Sequence, residues 1–165
     1  MPTTTLPSTL RRSEAKYSAN QIADYFLGRV DQETGDTMTN LKLQKLLYYA
    51  QAYHVAAFGK PLFEEQLEAW VHGPAVPVVY RRFKQYSYQP IDVTSIQLPE
   101  LDTETTEFLD QIWELYGKYS AKHLEVLSHR DPPWKEARKN REPEENCSTE
   151  ISLASLYRHF QQYVH

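Results

Sequence analysis

The amino-acid sequence predicts a mainly α-helical, compact single domain, a bundle of about six or seven helices around a buried central helix at residues 40–58. Several segments repeat apolar residues at the three- and four-residue spacing that places them on one helix face. Most of these segments follow a Ser, Thr or Asn, or end at a Gly or Pro, which are the residues that begin and end helices. A small β element could form near residues 67–72 or 91–97, where apolar or β-branched stretches are brief.

The beginning of the chain divides into a tail and the start of the domain. Residues 1–17 are rich in Thr, Ser and Pro and show no periodicity, so they are predicted to form a flexible N-terminal tail. Residues 18–165 are assigned to the helical domain. Ser18 and Gln21 have the spacing of a capping box, which predicts a first helix over residues 19–30.

The strongest helical pattern lies at residues 40–58, where Thr39 or Asn40 can cap the helix and Gly59 ends it. One face carries Leu43, Leu46, Leu47, Ala50, Tyr53 and Ala57, and a second apolar row is formed by Leu41, Tyr48 and Val55. A helix that is apolar over most of its circumference is typical of a buried central element.

The later helices are predicted from the same combination of a starting residue and an apolar row. Their expected positions are residues 76–86 with Pro77 in the first turn, a segment from Thr103 to a stop at Gly117, a short segment from Ser120, a turn or two at 134–139, and a last helix capped by Ser152. No internal repeat is present in the sequence.

The charge, cysteine content and hydropathy of the chain disfavour several classes of protein. The net charge of −4 gives the chain no overall basic character, so nucleic acid is a poor first candidate for a partner. The single cysteine, Cys147, cannot form an internal disulfide, which fits a reducing compartment. No apolar run approaches the length of a membrane span, and the N-terminal residues do not resemble a secretion signal. We therefore expect a cytoplasmic protein with no membrane association.

Three stretches together resemble a known family. They are KLQKLLYYAQAYHVAAFGKPLF at 42–63, EAWVHGPAVPVVYRRFK at 68–84 and LSHRDPPW at 127–134. In order and spacing they are similar to the Panacea antitoxin domain, also described as SocA-like or as a phage-associated GepA-like protein. The resemblance covers roughly residues 18–163.

The resemblance implies an antitoxin of a bacterial or prophage toxin–antitoxin system. Such a protein neutralises a cognate toxin, usually encoded by an adjacent gene, through direct contact, and in one family case it hands the toxin to a cellular protease. The family pattern maps onto a set of positions that we interpret as a structural signature, namely Leu43, Gln44, Leu46, Trp70, Gly73, Pro74, Pro133 and Trp134. The family commonly has Tyr at the position of His72 and Val at that of Ala75, so local packing there is expected to differ.

Candidate partner-binding residues are the charged and aromatic side chains of these stretches. They are Lys42, Lys45, Tyr49, His72, Tyr80, Arg81, His129 and Asp131. The two lysines share a helix face and could pair with acids of a toxin or of this chain itself. Tyrosine is enriched at interfaces, although core packing explains the tyrosines of the central helix equally simply.

Two other function classes stay open. His129 and Asp131 could support acid–base chemistry in a small hydrolase, although the sequence shows no nucleophile in a recognisable motif. The basic runs RRFK at 81–84 and KEARKNR at 135–141 could belong to a nucleic-acid-binding phage accessory protein. The histidines lack metal-ligand spacing and the glycines form no phosphate loop, so we expect no metal, no cofactor and no enzymatic activity.

Overall fold

The structure is a computed structural model that describes residues 5–164 and contains seven α-helices and one small sheet within that range. The helices are α1 (Ala19–Gly28), α2 (Asn40–Phe58), α3 (Pro77–Phe83), α4 (Thr103–Tyr116), α5 (Ala121–His129), α6 (Pro132–Arg138) and α7 (Leu153–Phe160). The strands are β1 (Leu67–Trp70), β2 (Gly73–Ala75) and β3 (Glu150–Ile151). The predicted mainly α-helical fold class is confirmed.

The central helix α2 is buried on nearly every side. It packs against α1, α3, α4, α5 and α7 and against β2. Most of its apolar residues belong to the main core, and its polar residues Gln44, Lys45 and Gln51 are buried with them. Among the described helices, neither α2 nor any other combines the length and the apolar character needed to cross a membrane.

Helix caps explain where the helices begin. Ser18 and Gln21 form the predicted capping box at the start of α1, and Ser120 and Ser152 cap α5 and α7. The expected cap at Thr103 is wrong, because the carboxylate of Asp102 accepts the hydrogen bond from the Thr105 amide at 2.7 Å. An aspartate at this position also interacts favourably with the positive end of the helix dipole.

The sheet has the strand order β2-β1-β3 and is antiparallel throughout. Strands β1 and β2 form a hairpin in which Trp70 lies opposite Gly73, so Val71 and His72 make the turn. The hairpin confirms the β element expected near residues 67–72. Residues 91–97 contain no strand, because this segment runs as an irregular connection whose Ile91 amide donates to the Met38 carbonyl.

Helix ends differ from prediction by a few residues. The first helix ends at Gly28 rather than at residue 30. The helix predicted over 76–86 is α-helical only to Phe83 and continues as a 3-10 turn over Lys84–Tyr86. The turns predicted at 134–139 begin earlier, at Pro132, because proline is well placed in a first helical turn.

The part of the predicted N-terminal tail that the structure describes lies against the helical domain. The hydroxyl of Thr9 donates to the Gly59 carbonyl at 2.6 Å, and Tyr17 pairs with Phe63 in an isolated β-bridge. Tyr17 belongs to the core, and its hydroxyl donates to Asp102 at 2.9 Å. The domain core therefore begins before residue 18, whereas residues 1–4 of the predicted tail lie outside the described residues.

Candidate partner-binding groove

A cavity of about 1060 Å³ lies beside the β1–β2 hairpin. We call it the hairpin groove. Its walls are the N-terminal end of α2, the hairpin, α5, the end of α3 with the turn after it, and the loop at residues 141–149. Its lining includes Gln44, Lys45, Trp70, His72, Gly73, Tyr80, Tyr88 and Arg141. A concave surface of this kind is the default position for a binding site.

Lys45 forms part of the floor of the hairpin groove. Its side chain is 1% exposed, and its ammonium nitrogen donates to the Pro74 carbonyl at 3.0 Å. Burial lowers the pKa of Lys45 to about 7, since the charged form loses its hydration, while the nearby Glu125 opposes the shift. The lysine therefore fastens helix α2 to the backbone of the hairpin.

Gly73 is required where Lys45 passes under the hairpin. Its φ of +106° lies in the region that side chains other than glycine rarely adopt. A Cβ atom at this position would lie 2.6 Å from Cε of Lys45 and 2.8 Å from the hydroxyl of Ser128. The Gly-Pro pair of the sequence signature thus supplies both the close approach and the carbonyl that Lys45 binds.

The side-chain amides of Gln44 and Asn40 in α2 make further hydrogen bonds that connect α2 to α3 and to the residue before it. The Gln44 side-chain carbonyl accepts from the Val76 amide at 2.8 Å, and its NH₂ group donates to Asn40 at 2.9 Å. Asn40 in turn donates to the Tyr80 carbonyl at 3.1 Å. All three distances are ordinary for hydrogen bonds, and Asn40 and Gln44 are both buried, so the amides satisfy backbone groups that water does not reach.

Helix α6 holds the other strand of the hairpin. The Trp134 indole donates to the Trp70 carbonyl at 2.8 Å, and the Arg138 guanidinium donates to the Ala69 carbonyl at 3.0 Å. Arg138 is only 2% exposed, and it also donates to the carbonyls of Glu142 and Glu145. One buried arginine therefore connects strand β1 to the loop that forms a wall of the groove.

The rim of the groove carries exposed charged and aromatic groups. His72 Nδ1 lies 3.0 Å from one carboxylate oxygen of Glu125, and the Lys122 ammonium lies 2.8 Å from the other. Although burial opposes the change, the hydrogen bonds from Lys122 and His72 lower the pKa of Glu125. Tyr88, which also lines the groove, is 91% exposed, so it presents an aromatic ring to solvent.

The structure brings three of the predicted partner-binding residues into the hairpin groove. Lys45, His72 and Tyr80 line it, but only His72 is freely exposed. Arg81 follows Tyr80 on α3 and is exposed. Lys42 lies elsewhere, since its ammonium donates to the Gly117 carbonyl at 2.6 Å and sits 5.9 Å from the Trp113 ring centroid.

The remaining candidates, Tyr49, His129 and Asp131, belong to the packing of the domain. Asp131 accepts hydrogen bonds from the hydroxyls of Tyr48 at 3.0 Å and Tyr49 at 3.4 Å, not from His129. The His129 ring stacks on Trp134 with 4.3 Å between ring centroids, and burial lowers its pKa. His129 and Asp131 are therefore engaged separately, and neither lines the hairpin groove as the structure describes it.

Sequence reasoning missed two groups that build the groove. Arg138 belongs to the basic run at 135–141 that could indicate nucleic-acid binding, but it lies four residues after Trp134 and so shares the helix face of that signature residue. Asn40 lies four residues before Gln44, another signature residue, and so shares its helix face in the same way. The wall at residues 141–149 has no periodicity that could have predicted its position. No set of three or more His, Cys, Asp or Glu side chains within residues 5–164 could hold a metal ion.

Comparison with known proteins assigns the chain to a family. The family model described as Antitoxin SocA-like, Panacea domain, matches residues 43–135, more than half of the 165 residues. The chain belongs to this family. It is 35% identical over 109 residues to Antitoxin SocA of Caulobacter vibrioides (strain NA1000 / CB15N), a match that covers 59% of this chain and 58% of that protein. The chain thus matches less than two thirds of that relative's length, and no solved structure matches it.

The range that matches the family model contains part of the hairpin groove. The matched range contains Gln44 and Lys45 of α2, the β1 and β2 residues of the groove and Trp134, whereas Asn40 and Leu41 of the lining precede it. Arg138 and the loop at residues 141–149 follow the matched range. The family pattern therefore covers the attachment of the hairpin to α2, while part of the groove wall comes from outside it.

Proposed function

We propose that this protein is a cytoplasmic antitoxin that neutralises a cognate protein toxin, encoded by an adjacent gene, by binding it directly at the hairpin groove. Family membership carries the proposal, since the relative it resembles is named an antitoxin. The groove supports it, because a rigid floor beneath exposed aromatic and charged groups is the arrangement in which interface anchors are found.

The proposed mechanism is steric. A toxin held at the groove would lose access to its substrate if the interface covers its active site, and such an interface would bury on the order of 1,200 Å² or more in total. Tyr88 and His72 are the exposed groups best placed to make the first contacts. The buried floor around Lys45 would keep the hairpin in one position, which lowers the entropy lost on binding.

We propose binding rather than catalysis because the two side chains that could act as acid or base, His129 and Asp131, make contacts inside the domain. Asp131 is hydrogen bonded to two tyrosines, and His129 is stacked on Trp134. The basic runs are also partly used by the fold, since Arg82 pairs with Asp24 at 2.7 Å and Arg138 is buried. We therefore expect the conservative variant Asp131→Asn to retain any protective effect in cells.

The proposal is tested by co-expressing the chain with the product of its neighbouring open reading frame, with growth and co-purification as the two readouts. Growth rescue with a stable complex is the expected result. A double variant at the rim, Lys84→Glu with Tyr88→Ala, should weaken both growth rescue and co-purification, because it reverses a charge and removes an exposed ring. Lys60→Glu makes the same charge change at an exposed residue outside the groove and should have no effect.

A second version of the mechanism, in which the chain delivers its toxin to a protease, is distinguished in the same cells. The toxin half-life would fall when the chain is present, and rescue would be lost in a strain without the protease. Under the steric version the toxin persists in a complex. If the neighbouring protein is toxic and the chain neither binds it nor restores growth, the pairing is rejected.

A further inference from the structure

A second groove lies on another side of the domain, between the C-terminal half of α2, the outer face of α4 and the residues after α7. We call it the acidic groove. Its volume is about 390 Å³. Its apolar lining includes Tyr53, Phe58, Phe108, Ile112, Leu115 and Tyr163.

The apolar side chains of the acidic groove are unusually exposed. Phe58 is 38% exposed, and Leu115 and Tyr163 are each 51% exposed. Of eight large hydrophobic residues that are exposed in the described chain, these three meet in one groove. Single exposed apolar residues are ordinary, but grouped ones mark a surface that another molecule covers.

The charge at the groove has one sign. Its only charged lining residues are Glu104 and Glu107, and no Lys, Arg or His lines it within residues 5–164. Neither glutamate takes part in a described ion pair or side-chain hydrogen bond, whereas Asp110 on the same helix is paired with Arg29 at 3.2 Å. Among residues 5–164, the groove therefore has two acidic groups without a partner beside an apolar floor.

The groove also has the dimensions of a helix-binding surface. Glu104, Glu107, Gln111 and Leu115 are spaced by three or four residues, so they form one row along α4. From Glu104 to Leu115 the row is about 16 Å long at 1.5 Å per residue, which is the length of about three helical turns. An amphipathic helix laid along α4 would place apolar side chains at every third or fourth position on the groove floor.

We propose that the acidic groove binds a basic amphipathic helical segment of the protein partner. That this partner is the toxin rests on the proposed function. Apolar residues of the segment cover Phe58, Leu115 and Tyr163, and its Lys or Arg side chains reach Glu104 and Glu107. Complementary charge of this kind increases the association rate and selects among partners.

A second copy of this chain is a poorer occupant. In a symmetric dimer the same patch faces itself, so each copy would offer Glu104 and Glu107 of the other a lining whose charged residues are also acidic, with no Lys, Arg or His among the described residues. Like charges at an interface oppose association. The chain as a whole is also acidic, with a net charge of −4, which adds to the repulsion.

The test uses the full chain and a fluorescently labelled helical peptide of Leu and Lys in an amphipathic order. The controls are a peptide of the same composition in scrambled order and an amphipathic peptide of Leu and Glu. Binding is measured by anisotropy for the wild type and for the double variant Glu104→Lys/Glu107→Lys. The control double variant is Glu33→Lys/Glu136→Lys, which makes the same charge change at exposed residues outside the groove.

The wild type and the control variant should bind the basic amphipathic peptide, and the groove variant should bind at least about tenfold more weakly, equivalent to about 1.4 kcal/mol. Because Glu104 lies in the first turn of α4, its replacement by Lys could weaken that helix. The neutral variant Glu104→Gln/Glu107→Gln removes this ambiguity, and it should show a smaller loss in the same direction.

Three results would overturn the inference. They are equal affinity of the groove variant and the wild type, equal binding of the scrambled or acidic peptide, and a dimer of the chain that Leu115→Asp converts to a monomer. Because the peptide assay needs no toxin, its outcome is independent of the co-expression experiment. Peptide binding without growth rescue would reject the proposed function alone, and rescue without peptide binding would reject this inference alone.

Discussion

The two grooves of this molecule are built in opposite ways. The hairpin groove has a floor of buried polar side chains that donate to backbone carbonyls or accept from backbone amides, among them Lys45 and Gln44, and the buried Arg138, outside the lining, holds strand β1 in the same way. The acidic groove has a floor of partly exposed apolar side chains, and its two glutamates make no described side-chain hydrogen bond. Polar contacts inside the domain fix the shape of the hairpin groove. In the acidic groove, the apolar side chains stay partly exposed unless another molecule covers them.

The difference shows that residues of the sequence signature hold a surface in place from inside the domain, while exposed groups at its rim lie outside the signature. Gln44, Gly73 and Trp134 belong to the sequence signature, and each holds the hairpin in place. The exposed groups at the rim, such as Tyr88, lie outside that signature. Substitutions in the floor should therefore lower stability, while substitutions in the acidic groove should lower binding with little change in stability.

The largest effect on stability is expected from Gly73→Ala. The new Cβ would combine an unfavourable backbone conformation with a clash against Lys45 and Ser128, neither of which has free space to move. The free energy of unfolding should fall by about 4 kcal/mol, as measured by urea denaturation. Gly35→Ala is the matched control, because Gly35 also has a positive φ of +86° but has nothing within 4 Å, so it should lose only about 1 kcal/mol.

Arg138→Met should produce the next largest loss. Methionine keeps much of the apolar volume but leaves the carbonyls of Ala69 and Glu145 without their donor. We expect the free energy of unfolding to fall by about 3 kcal/mol in the same assay. Arg158→Met, at an exposed position of α7, should change stability by less than about 0.5 kcal/mol, and equal losses in the two variants would contradict the role given to Arg138.

Lys45 should make stability depend on pH. Its pKa is about 7 in the folded chain against 10.5 for a free lysine, so the unfolded chain binds more protons between these values. The free energy of unfolding should therefore rise with pH across this window, by at most about 1.4 kcal/mol per pH unit. Urea denaturation between pH 7 and 9 measures this slope.

Lys45→Met isolates the contribution of this one group. Lys42 and Cys147 also have lowered pKa values, from burial for Lys42 and, against a burial effect, from hydrogen bonds with Thr149 for Cys147, and both add slopes of the same sign. The variant should consequently show a smaller slope than the wild type rather than none. An unchanged slope would mean that Lys45 titrates in the folded chain at its ordinary pKa.

The smallest effect on stability is expected in the acidic groove. Leu115→Ser removes an apolar side chain that is already half exposed, so the free energy of unfolding should change by less than about 0.5 kcal/mol. Affinity for the basic amphipathic peptide should nevertheless fall several-fold, because the partner loses apolar contact area on the groove floor. A large loss of stability with unchanged peptide affinity would remove the contrast between the two grooves.

Much of the fold could be predicted from periodicity and caps. The long apolar pattern at residues 40–58 gave the central helix, and Ser18, Ser120 and Ser152 gave three helix starts. Strand β3 could not be predicted, because two residues carry no periodic signal and their pairing with β1 is a long-range contact. The same limit applies to residues 5–17, whose contacts with Gly59 and Phe63 depend on tertiary packing.

The candidate sites were harder to predict than the fold. Sequence reasoning selected Lys45 as a residue that could face a partner, but the side chain is buried because it binds the Pro74 carbonyl. It also considered His129 with Asp131 as a pair from their proximity in sequence, whereas His129 ends α5, Asp131 directly precedes α6, and the Asp131 carboxylate accepts from Tyr48. The acidic groove joins α2 to α4, and no local pattern indicates which helices lie side by side.

The central claim is that this chain neutralises a toxin by binding it, and the most direct measurement is a titration of purified toxin with purified chain in the absence of any protease. We predict that toxin activity is lost in proportion to the chain added, until a complex of fixed stoichiometry accounts for all of the toxin. Full toxin activity in the presence of a large excess of the chain would contradict the account.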